Sequence, residues 1–69
     1  MDTSHLVKMA NQIAEFFASG MEREAAIAAT TAHLRNFWEP RMRREIIAYA
    51  KNGGAELSDV ARAAVIALG

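Results

Sequence analysis

His33-Leu34-Arg35-Asn36-Phe37-Trp38-Glu39-Pro40-Arg41-Met42-Arg43-Arg44 is the stretch on which the fold turns. Proline disfavours a helical conformation in the residue before it. It also suits the first position of a new helix, where its missing N–H is not needed. Glu39-Pro40 therefore predicts a sharp corner at Trp38-Glu39. One helix should end at Phe37, and another should run from Pro40 to about Lys51. In the later helix Ile46, Ile47 and Ala50 are expected to face inward, with Met42 and Tyr49 flanking. Lys51 suits the negative end of the dipole, and Asn52-Gly53-Gly54 ends the helix.

Upstream of the corner, the pattern predicts a helix from about Glu22 to Phe37. Glu22 and Glu24 sit in its first turn, where the dipole favours anions. Ile27, Thr31, Leu34 and Trp38 form one stripe, and the opposite surface is rich in alanine, which would let a neighbouring helix approach closely. A further helix is expected from about Ser4 to Ser19. Leu6, Met9, Ile13, Phe16 and Phe17 recur there at spacings of three and four. Gly20 reads as its stop, in the left-handed conformation that glycine takes without steric cost. Downstream, Ser58 is a good N-cap with Asp59 behind it. Leu57, Val60, Ala61, Ala64, Val65 and Leu68 keep a helical period to the C-terminus. The expected fold is all-α: a small bundle of three main helices plus a short C-terminal helix, with residues 1–69 forming one helical domain.

Composition bounds the function. Hydrophobic residues make up 52% of 69 residues, but fifteen of them are alanine. That favours helices strongly and a large core only weakly. Domains this small often add disulfides, a metal or a partner for stability. There are no cysteines, which removes disulfides and thiolate metal sites. His5 and His33 are too few for a closed metal site without converging carboxylates. A partner chain, or a second copy, is the remaining device. No apolar run is long enough for a membrane span. Met1-Asp2-Thr3-Ser4 is unlike the start of a secretory signal, so the cytoplasm is the expected compartment.

The net charge is zero, yet unevenly placed. From His33 to Lys51, five basic residues face two acidic ones, giving +3 against −3 for the rest. A neutral chain with one basic patch is a poor nucleic-acid binder and a fair match for an acidic patch on a protein. Arg41, Arg43 and Arg44 open the helix after Pro40, at the positive end of its dipole, where cations are disfavoured by roughly 0.3–1 kcal/mol. Either Glu39 and packing of the arginine stems on Phe37 and Trp38 offset this, or another protein's carboxylates do. Arginine beside aromatics, as in Arg35, Phe37 and Trp38, is also the composition of interface hot spots. Asn11-Gln12 is a polar pair inside a helix, either solvent-facing or a partner contact. Phe16 and Phe17 point about 100° apart, so one can enter the core while the other needs a different home.

No nucleophile with a base, phosphate loop or paired carboxylates in a plausible cleft can be read from the sequence. Gly53-Gly54 lacks the lysine and strand of a phosphate loop and reads as helix punctuation.

Three runs carry a resemblance. They are Leu6-Val7-Lys8-Met9-Ala10-Asn11-Gln12-Ile13-Ala14 with Phe16-Phe17, then His33 to Arg43, then Gly53-Gly54-Ala55-Glu56-Leu57-Ser58. In order and spacing the chain resembles the delta subunit of cytoplasmic, NAD-dependent, molybdenum-containing formate dehydrogenases. The resemblance implies a non-catalytic subunit without cofactors. It would accompany a large molybdopterin and iron–sulfur subunit, together with flavin and iron–sulfur subunits that pass electrons to NAD. The role it implies is support of quaternary structure or of molybdenum-cofactor insertion. The expected partner is the large subunit, with neither nucleic acid nor membrane. The expected partner-binding residues are Asn11, Gln12, Phe16, Phe17, Arg35, Phe37, Trp38, Arg41, Arg43 and Arg44. Two other readings stay open at this level: a small helical DNA-binding protein, and a self-associating helical bundle.

Overall fold

A computed structural model describes residues 2–69. It contains four helices: α1 (Thr3–Ala18), α2 (Arg23–Phe37), α3 (Pro40–Lys51) and α4 (Asp59–Leu68). Each begins or ends within a residue or so of the position its punctuation predicts. The Asp2 side chain caps α1 by accepting from the Ser4 N–H. Ser58 caps α4 by accepting from Ala61 N–H. Trp38 and Glu39 are both extended, with ψ of 141° and 152°, and Pro40 opens α3. The corner lies where the proline requires it.

α1 and α4 each pack against the other three helices, while α2 and α3 scarcely touch beyond their shared corner. Arg23 is tied to Asp59 at the starts of α2 and α4, and Thr31 bonds Ala64 O at their middles. These two helices therefore run in the same direction. Leu6, Leu34, Ile46 and Val65, one from each helix, are fully buried. Leu57 and Trp38 close the core from the connections.

Two helices turn their faces differently from the sequence expectation. In α1 the buried residues are Leu6, Val7, Ala10 and Ala14. Met9 and Ile13 pack at the core's edge, and Phe16 is 73% exposed. The small side chains of Ala10 and Ala14 let neighbouring helices approach, which rotates the inward face away from the stripe of larger residues. In α2 the centre is Ala26, Thr30, Thr31 and Leu34. Burying two threonines is tolerable because each hydroxyl bonds its own helix, Thr30 to Ala26 O and Thr31 to Ile27 O. The alanines opposite this face, Ala25, Ala28 and Ala32, stay exposed, so no helix of this chain takes up the close approach they offer.

The glycines also divide. Gly53 and Gly54 have φ of 115° and 54° and terminate α3 in the left-handed manner. Gly20 does not have a positive φ. α1 instead ends with Ser19 Oγ donating to Phe16 O and Gly20 N–H donating to Phe17 O.

The chain closes on itself to the extent expected of a folded monomer of its size. Its accessible surface is 4273 Å², against about 4,200 Å² expected of a folded monomer of this mass. Among the described residues, no buried side-chain polar atom lacks a partner.

Candidate functional site

The corner sorts its aromatic and basic residues into two groups. Trp38 is 5% exposed and belongs to the core, whereas Phe37 beside it is 74% exposed. A helix-ending residue followed by an extended one sends adjacent side chains in different directions. Arg43 reaches back from α3, and its Nη1 donates to Arg35 O at 2.9 Å and Trp38 O at 2.8 Å. It thereby satisfies carbonyls left without intrahelical partners at the C-terminus of α2. Its charge also lies at the negative end of the α2 dipole, where a cation is favoured. This is the offset that the first turn of α3 lacks locally, and it serves Arg43 only. Glu39 makes no capping bond and no ion pair among the described residues. Arg35, Arg41 and Arg44 are exposed.

Phe37 continues into a line of rings across α1 and α2. Its centroid lies 4.8 Å from that of His33, His33 lies 6.3 Å from Phe17, and Phe17 lies 5.2 Å from Phe16. The Phe16–Phe17 and Phe17–His33 pairs are edge-to-face, an arrangement rings prefer. Beside the line is an open groove of about 360 Å³ lined by Gln12, Ile13, Phe16, Phe17 and His33. Only the inner part of this ridge is covered by the chain. Its two ends, Phe16 and Phe37, are the two most exposed large hydrophobic residues among those described.

Asn11 is engaged within the chain. Its Nδ2 donates to Glu56 O and its Oδ1 accepts from Ser58 N–H, both at 2.9 Å. These bonds fix the orientation of its amide and pin the α3–α4 connection onto α1. The same connection is held by Tyr49 Oη, which accepts from Glu56 N–H, and by Arg62, which donates to Gly54 O. Asn11, Trp38 and Arg43, all expected at a partner surface, are thus used by the fold. The signal for Asn11 was unreadable in sequence, because its partners lie 45 and 47 residues away. Gln12, Phe16, Phe17, Arg35, Phe37, Arg41 and Arg44 remain wholly or partly exposed.

Elsewhere the charges are paired or dispersed. Arg23 grips Asp59 through two bonds, Nε–Oδ2 at 2.7 Å and Nη2–Oδ1 at 3.1 Å. The hydrogen bond from Arg23 holds the Asp59 carboxyl below its ordinary range. Donating to the Asp59 carboxylate raises the pKa of Arg23 in turn. Among the described residues, no group of three or more His, Cys, Asp or Glu is placed to hold a metal ion. None of the helices is long and apolar enough to cross a membrane.

Fold and surface together define a small all-α bundle with an aromatic ridge that its own core does not cover. A family model described as the NADH-dependent formate dehydrogenase delta subunit FdsD matches residues 5–65, and the chain belongs to that family. No curated protein and no solved structure matches the chain.

Proposed function

We propose that this chain is a non-catalytic accessory subunit of a cytoplasmic NAD-dependent formate dehydrogenase. In this role it binds the large molybdenum and iron–sulfur subunit and supports quaternary assembly or insertion of the molybdenum cofactor. Family membership over residues 5–65 supports the assignment to the complex. The observation that carries the binding role is the ridge running from Phe16 through Phe17 and His33 to Phe37. Aromatic rings left in water at both ends of such a line favour association when a partner covers them. Gln12 and Phe17 border the groove and would be contacts of the same partner. Arg35, Arg41 and Arg44 complete the proposed surface.

The ridge alone is too small for a stable interface. A phenylalanine offers roughly 150–250 Å². Two that are about three-quarters exposed supply well under half of the ~800 Å² per partner of a standard complex. Further contacts must extend it, and a mainly intramolecular fold with a modest docking patch suits a subunit added to a larger body.

The test is reconstitution. The large subunit, produced without and with this chain, is compared for co-elution in size-exclusion chromatography and for molybdenum content. Co-elution, with a higher yield of assembled or molybdenum-loaded enzyme, is expected. A large subunit that neither retains the chain nor gains assembly or molybdenum from it would contradict the proposal.

A further inference from the structure

The turn that ends α3 needs glycine at position 53, where φ is 115°. That requirement sets a glycine directly behind Asn52. A glycine leaves its own backbone nitrogen without steric cover, so the amide carbon of a preceding asparagine is open to attack by it. The chain has three asparagines, and the other two lack this feature. Asn11 is followed by Gln12 and Asn36 by Phe37, whose side chains shield the peptide nitrogen. Asn52 and Gly53 are also both exposed, so water reaches them.

The closed turn holds the reacting atoms apart. Asn52 Nδ2 donates to Ala48 O at 3.0 Å, and Gly53 N–H donates to Ala50 O at 3.2 Å. Closing a five-membered ring requires Gly53 N to eclipse the Asn52 Cα–Cβ bond. At the observed ψ of 22° that nitrogen lies on the far side of the Cα–C axis from Cβ. Reaction therefore needs the last turn of α3 to open. Helix ends are among the first parts of a fold to do so.

We propose that Asn52-Gly53 is a self-modification site, at which the chain deamidates through a succinimide when the last turn of α3 opens. Gly53 N gives up its proton to water and bonds to Asn52 Cγ. The Cγ–Nδ2 bond breaks, and Nδ2 takes a proton and leaves as ammonia. Water, the one co-reactant, then opens the ring. Addition at Cγ gives aspartate, and addition at the backbone carbonyl carbon of residue 52 gives isoaspartate. Either product sets a carboxylate at the negative end of the α3 dipole and removes the donor to Ala48 O. Isoaspartate also inserts a methylene into the backbone just ahead of Gly54, which is buried against Ala50 and Leu57. The change loosens the junction of α3 with the loop that Asn11, Tyr49 and Arg62 hold. It is independent of the proposed docking, because neither Asn52 nor Gly53 belongs to the aromatic ridge.

The experiment incubates the full chain at pH 8.5 and 37 °C, folded in buffer and unfolded in urea. Peptide mapping by mass spectrometry, with isoaspartate detection, locates and times each deamidation. Reaction at Asn52 ahead of Asn11 and Asn36 is expected. It should be about tenfold to a hundredfold slower in the folded chain, as the loss of two hydrogen bonds on opening implies. Gly54→Ala tests the gate, since it strains the turn without altering a reacting atom, and circular dichroism checks that it folds. It should react faster than the unaltered chain when folded and at the same rate in urea. Asn52→Asp, which reproduces one product, should melt about 4–8 °C lower than the unaltered chain. Equal rates in buffer and in urea would overturn the gate, as would a folded Gly54→Ala no faster than the unaltered chain. Asn11 or Asn36 reacting first, or an Asn52 that stays intact in urea, would overturn the site. An Asn52→Asp chain that melts with the unaltered one would overturn the loosening.

Discussion

The connection from α3 to α4 and the corner from α2 to α3 are built from similar residues and used in opposite ways. In the connection, Asn11, Tyr49 and Arg62 all turn inward onto backbone groups of the loop. At the corner, Arg43 does the same and Trp38 enters the core, while Phe37, Arg41 and Arg44 are left facing water. Residue type does not decide which side chains a fold retains. What decides is the direction each Cα–Cβ bond takes after a break in the backbone, and whether an unsatisfied carbonyl lies within reach.

The contrast is sharpest between the two neighbours at the corner. Trp38→Ala should cost about 3–5 kcal/mol, the range for deleting a large aromatic from a packed core. For a chain of this size that is enough to unfold much of the population at ambient temperature. Phe37→Ala should change stability by less than about 0.5 kcal/mol, as expected of an exposed site. Urea titrations of both variants check the pair, and equal losses would erase the distinction. Arg43 and Arg44 offer the next comparison. Removing the Arg43 guanidinium leaves two carbonyls at the end of α2 without their donor, a loss of about 1.5–3 kcal/mol for bonds from a charged group. Arg44→Ala should be neutral or slightly stabilising, as it relieves repulsion at the start of α3.

The glycines extend the comparison at a smaller scale. An alanine at Gly54 must hold φ near +54° with its Cβ 3.2 Å from Ala50 Cα, for about 1–2 kcal/mol of destabilisation. At Gly20 a Cβ meets nothing within 4 Å and φ is not positive. Alanine there should leave stability unchanged or raise it by about 0.4–1 kcal/mol. Thermal melts of the two variants read both signs. The smallest effect belongs to Asp59. Its folded carboxyl titrates below its ordinary value because Arg23 bonds the ionised form. That contribution is present above the ordinary value of 3.8 and fades as pH falls through the depressed one. Stability measured from pH 6 to pH 2 should therefore decline less steeply in Asp59→Asn than in the unaltered chain.

Much of this architecture could be read in the sequence because it depends on local chemistry. Pro40 dictates the corner, Ser58 caps α4, and Asn52-Gly53-Gly54 ends α3. What could not be read depends on distant groups. The stripe from Leu6 to Phe17 in α1 weights large residues, but helices approach along Ala10 and Ala14, and Phe16 is turned out as a result. Asn11 looks like any polar helix residue until the loop at Glu56–Ser58 folds over it. Of the two phenylalanines, one was expected to fill the core and the other to need a different home. Neither joins the core cluster: Phe16 is exposed, Phe17 is half-buried on the ridge, and the exposed Phe37 continues that ridge.

On the proposed function, the aromatic surface that the fold leaves uncovered is the surface a formate dehydrogenase subunit covers. Affinity of the cognate large subunit for Phe16→Ser/Phe37→Ser, set beside the variant's own melting temperature, tests it most directly. Weakening of about tenfold or more in Kd, with the melting temperature within a few degrees of the unaltered chain, is the predicted result. Undiminished affinity in a folded double variant would contradict it.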